Sequence, residues 1–86
     1  MKVRRLPIVD EYFDREQAAV FVGGQVVVLS VVATAILRAV AHEWTDVAAI
    51  SREVVDAVGA PNGEPEMAVA TVIGDLAKAG IVEMVS

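Results

Sequence analysis

Cysteine is absent from the chain. Its absence removes disulfides and thiolate metal sites, and a small unstapled protein fits a reducing cytoplasm better than a secreted scaffold. The single histidine, His42, cannot hold a metal alone. Positive charge is scarce: seven Lys and Arg stand against twelve Asp and Glu, for a net charge of -5. Beyond the N-terminal arm only Arg38, Arg52 and Lys78 are basic, which is poor equipment for gripping phosphate backbones. No catalytic constellation is present either. Ser30 and Ser51 have one histidine between them, Gly23-Gly24 is followed by no Lys-Ser/Thr pair, and Glu64 and Glu66 sit where they would complement a helix N-terminus.

What the chain has in abundance is aliphatic residues. Its 86 residues are 56% hydrophobic, enough for one domain (1–86) that buries roughly 60 to 65% of its unfolded surface. The run AAVFVGGQVVVLSVVATAIL, residues 18–37, carries no charge and is about as long as a membrane-crossing helix. A signal peptide is opposed by Asp10, Glu11, Asp14 and Glu16, which intervene between the basic start and the run. A span is opposed by Gly23-Gly24-Gln25 in its middle, by valine in place of leucine, and by the lack of an aromatic belt. Two glycines between β-rich runs instead predict a hairpin over 18–29. Its register sets Val22 opposite Gln25, Phe21 opposite Val26, Val20 opposite Val27 and Ala19 opposite Val28.

Residues 1–16 read as a first strand or arm, with a strand over 3–13 in which Pro7 confines the segment to a sheet edge. Ser30 is placed to cap a first helix over 31–43, whose apolar face comprises Ala33, Ile36, Leu37, Val40, Ala41 and Trp44. Trp44 is expected in the core. Thr45 is a second cap candidate for a helix over 46–58 that stops at Gly59. After the turn-rich APNGEPE, Val69, Val72, Ile73 and Leu76 form the stripe of a third helix ending at Gly80, followed by IVEMV as a short strand or tail. The three helices fill 31–80. The expected architecture is α+β and winged-helix-like: an N-terminal three-stranded antiparallel β-meander followed by a three-helix bundle.

In the strand 25–29 both faces are apolar, since Val26 and Val28 point one way and Val27 and Leu29 the other. As the last strand of a meander it has one free edge, and Gln25 to Leu29 offers no charge, proline or bulge to protect it. That edge is therefore expected to be used, by an external peptide, by the terminal segment 81–85, or by a possible homodimer. A DNA-reading winged helix is the alternative class, but residues 64–79 set Glu64, Glu66 and Asp75 against Lys78 alone.

The pattern VVVLS…ATAILRAV…TDVAAISREVVDAVG…VATVIGDLAKAGIVE, over residues 18–85, resembles the PqqD-like domains, the precursor-peptide recognition elements of ribosomal peptide modification pathways. The resemblance is carried by Leu29-Ser30, Ala33 to Leu37, Thr45 to Ile50 and Leu76 to Val82. It implies a non-catalytic module for peptide capture, which joins the expectations from composition and charge of a cytoplasmic protein without cofactor or metal, with no nucleic acid and no membrane span. Its partners would be a leader peptide and the modifying enzyme or leader peptidase of the same pathway. The leader would add as a strand along Gln25, Val26, Val27, Val28 and Leu29 and lie against the third helix. There Met67, Ala70, Thr71, Gly74, Asp75 and Lys78 would form the wall, with Ala70 and Gly74 leaving a trough and Asp75 and Lys78 pairing with leader charges.

Overall fold

The computed structural model describes residues 1–8, 10–59 and 63–85. They form an α+β fold with six strands in two antiparallel three-stranded sheets, and three helices. The strands are β1 (Lys2–Arg5), β2 (Asp10–Asp14), β3 (Gln17–Val22), β4 (Gln25–Leu29), β5 (Thr45–Asp46) and β6 (Val82–Val85). The helices are α1 (Val31–Ala39), α2 (Val47–Val58) and α3 (Pro65–Lys78). One sheet has the order β2-β3-β4 and the other β5-β1-β6.

The hairpin forms in the register expected from its two glycines, Val22 opposite Gln25 through Ala19 opposite Val28. Gly23 and Gly24 both take positive φ, 58° and 75°, as the tight turns that match strand twist require. The inner face of this sheet contributes Ala18, Val20 and Leu29 to the core, where they join Ile36 and Leu37 of α1, Ile50 and Val54 of α2, and Val69, Ile73 and Leu76 of α3.

Three expectations are corrected. The single strand over 3–13 is two strands in different sheets, because Pro7 breaks it: the Leu6 N–H still bonds the Ile81 carbonyl at 3.0 Å, but proline has no donor to continue the ladder. The Arg5–Glu11 ion pair then links the two strands across that break. Second, α1 ends at Ala39 rather than 43. Val40 is extended, with its N–H closing on the Ile36 carbonyl at 2.9 Å, and the Ala41 carbonyl accepts the Arg5 N–H at 2.8 Å. Ending the helix there carries Trp44 out of the core: it is 37% exposed, with the Arg4 guanidinium over its ring at 4.5 Å. Third, Thr45 does not cap α2. It lies in β5 opposite Val3, and its hydroxyl donates to the Glu43 carbonyl at 3.3 Å.

Ser30 caps α1 as expected, its Oγ accepting the Ala33 N–H at 3.1 Å. Gly59 and Gly80, both at positive φ, follow the ends of α2 and α3. The connection expected at APNGEPE falls partly on residues 60–62, which lie outside the described residues. The terminal segment is a strand, and it pairs with β1, from Lys2 opposite Val85 to Arg5 opposite Val82. It does not pair with β4.

Candidate functional site

Strand β4 is an edge. Among the described residues it pairs with β3 alone, and the segment that could have closed it is taken up by β1. Which backbone groups face outward follows from the turn. Val22 and Gln25 are its first and fourth residues, so they form a hydrogen-bonded pair, and bonding alternates along an antiparallel ladder. Gln25, Val27 and Leu29 therefore direct their N–H and C=O toward β3. Val26 and Val28 direct theirs outward.

The other hairpin gives the same phase independently. Asp14 and Gln17 flank the turn at Arg15-Glu16, so Gln17, Ala19 and Phe21 bond toward β2, leaving Ala18, Val20 and Val22 to bond toward β4. The two residues whose backbone is free at the edge also carry the strand's exposed apolar side chains, Val26 at 69% and Val28 at 72%. Val27 is half-buried over the core and Leu29 is buried.

The outer face of the sheet continues the apolar surface. Val28 lies opposite Ala19, and Ala19 opposite Tyr12; Val26 lies opposite Phe21. Tyr12 and Phe21 are both exposed, and the small Ala19 between them leaves two shallow depressions of about 160 Å³ each. Sequence reasoning missed Tyr12 and Phe21 as surface groups, although the pairing of Phe21 with Val26 was a usable signal. The opposite edge differs in character, since β2 carries Asp10, Glu11 and Asp14, charges of the kind that deter strand addition.

The α3 residues expected to form a wall share one flank of that helix. Met67, Thr71, Asp75 and Lys78 are exposed, and Ala70 and Gly74 half-buried. Two of them share a depression. Met67 and Ala70 border a depression of about 390 Å³ whose other walls are Met1, Val47, Glu64 and Glu66. The Thr71 hydroxyl donates to the Met67 carbonyl at 3.0 Å within the helix. Gly74 is not there for close packing: a Cβ added to it would meet nothing within 4 Å among the described residues. Asp75 and Lys78 make no ion pair among the described residues. The end of α3 that approaches the hairpin is the C-terminal one, where a Cβ on Gly80 would lie 3.9 Å from Val22 Cγ2.

No group of His, Asp or Glu side chains suited to a metal occurs among the described residues, and no helix of theirs is long and apolar enough to cross a membrane. Comparison with protein-family models, curated proteins and solved structures finds no match for this chain.

Proposed function

We propose that this chain is a non-catalytic peptide-recognition module that captures an extended segment as a fourth strand on β4. The observation that carries it is the edge itself: uncharged, free of proline and bulge, and unpaired by the chain's own terminal strand. Main-chain bonds to Val26 and Val28 would give affinity, and the side chains on either face of the added strand would give selectivity. Net hydrogen bonds contribute about 0.5–1.5 kcal/mol each, so a few of them with added valine contacts suit a reversible complex.

In keeping with the resemblance to PqqD-like domains, the ligand is the leader segment of a ribosomally made precursor peptide. The module presents that leader to a modifying enzyme or leader peptidase, raising its effective concentration and setting its register. A winged-helix-like layout suits this role, with β2-β3-β4 as the meander ahead of the helices and the C-terminal end of α3 beside its hairpin. The α3 flank of Met67, Ala70, Thr71, Gly74, Asp75 and Lys78 would form the cleft wall, with Gly74, Asp75 and Lys78 toward the end nearer the hairpin. The DNA-reading alternative is disfavoured by the acidic character of α3, where Glu66 and Asp75 outnumber Lys78.

The test is titration of a fluorescent leader peptide encoded beside this protein, repeated with Val26→Pro and Val28→Pro. Each removes an outward donor. Binding that is lost in both variants supports strand addition; tight binding that both retain sinks it, and no binding to any neighbouring leader sinks the function. A steep loss of binding with salt would point instead to nucleic acid.

A further inference from the structure

We infer that, without peptide, β4 pairs with β4 of a second copy, antiparallel and centred on Val27, so that self-association and peptide compete for one edge. The competition rests on the peptide-binding reading; the self-pairing does not.

A two-fold interface must present the same patch on both partners, and Val26-Val27-Val28 reads the same in both directions. The bonding phase has the same symmetry. The outward N–H and C=O groups belong to Val26 and Val28, equally spaced about Val27, so a register centred there sets Val26 of one copy opposite Val28 of the other. Each such pair exchanges both of its N–H···O bonds. The half-buried Val27 side chains then meet at the axis as a non-bonded pair, the closer of the two pair types. On the outer face the exposed valines of the two copies lie side by side, and Tyr12, Ala19 and Phe21 of each copy continue them into one six-stranded apolar surface.

Charge permits this association although each copy carries -5 overall. The acidic residues of this sheet, Asp10, Glu11 and Asp14, are on β2. With strands about 4.8 Å apart, the two β2 strands of the paired sheets lie roughly 24 Å from each other. That is well over two Debye lengths at about 0.15 M salt, near 8 Å each. Size sets the strength. Two five-residue strands meeting edge to edge bury well below the roughly 800 Å² per partner of a stable complex, so the dimer is a weak one with half-dissociation between about 10 µM and 1 mM. A weak occupant is one that a peptide can displace.

Sedimentation velocity between about 5 µM and 1 mM protein, in the range where such affinities are read, should show a concentration-dependent monomer–dimer equilibrium. Val26→Lys and Val28→Glu, both at exposed positions and checked for folding by circular dichroism, should each weaken it at least about 10-fold, as an edge charge does. Mixing Val26→Lys with Val28→Glu should restore a heterodimer, because these positions face each other across the axis. Mixing Val26→Lys with Val26→Glu should not. A wild-type protein that stays monomeric throughout overturns the inference, and so does equal rescue by the two mixtures. Monomer throughout together with leader binding lost in Val26→Pro overturns the dimer and leaves the peptide reading standing. A dimer that behaves as expected but is dissociated by no leader peptide overturns the competition and the peptide reading with it, while the self-pairing survives.

Discussion

Proline scanning across β4 separates the two sets of backbone groups that the turn geometry assigns. At Val27 the N–H points to Val20 of β3, with which Val27 is paired, and Val20 is 1% exposed. Val27→Pro removes that donor and leaves a buried carbonyl unsatisfied, which costs about 1–3 kcal/mol. The ring also occupies the space of the lost hydrogen and pushes the strands apart, for a total of about 2–4 kcal/mol. In a domain of this size each kcal/mol shifts the thermal midpoint by roughly 4–8 °C, so Val27→Pro should lower Tm by more than about 8 °C. Val26→Pro and Val28→Pro remove donors that face outward, and the side chains they replace are mostly exposed, so each should cost no more than about 1 kcal/mol. Alanine at each position corrects for the loss of the side chain alone. Thermal unfolding followed by far-ultraviolet circular dichroism reads the series. Equal damage at Val26 and Val27, or a harmless Val27→Pro, would refute the assigned bonding phase, and with it the identity of the free edge groups.

Other substitutions test the packing around this edge. Thr34 is buried at 1% exposure and its Oγ1 has no hydrogen-bond partner among the described residues, so Thr34→Val should raise stability by about 1 kcal/mol in urea unfolding. Ser30→Ala removes the cap that holds the Ala33 N–H and should lower stability by about 1 kcal/mol, read in the same assay. Gly74→Ala places a methyl in open space and relieves a helical glycine, for a gain of about 0.5–1 kcal/mol. If the flank of α3 is the peptide's wall, the same substitution weakens leader binding measured by fluorescence anisotropy.

Much of the hairpin was legible because its determinants are local. Gly23-Gly24 between valine-rich runs dictates both the turn and the register, and Ser30 marks where strand gives way to helix. The stops at Gly59 and Gly80 were legible for the same reason, since positive φ at a helix end favours glycine. What escaped is non-local. Lys2–Arg5 pairs with Val82–Val85 at the far end of the chain, and three of the four residues in β1 are basic, so no alternation announces a strand. The early end of α1 was hidden likewise, because the group that takes the Ala41 carbonyl is the Arg5 N–H of a distant strand. Trp44, read as core by its helical spacing, became a surface ring under Arg4 for that reason. At the candidate site, the apolar edge could be read from Gln25 to Leu29. The bonding phase that singles out Val26 and Val28 required the paired register, and the depression that Met67 and Ala70 border required the packing of α3 beside Met1 and Val47.

The most direct test of peptide capture is a nuclear magnetic resonance titration with leader peptide, followed by hydrogen exchange of the β4 amides. Peptide-free protein exchanged below about 10 µM, where the β4 edge is unpaired, should exchange Val26 and Val28 fast and Val27 slowly, and saturation with peptide should slow Val26 and Val28 by more than about 10-fold, the factor that 1.4 kcal/mol of protection represents. Binding that leaves the Val26 and Val28 amides exchanging as in the free protein would contradict strand addition at this edge.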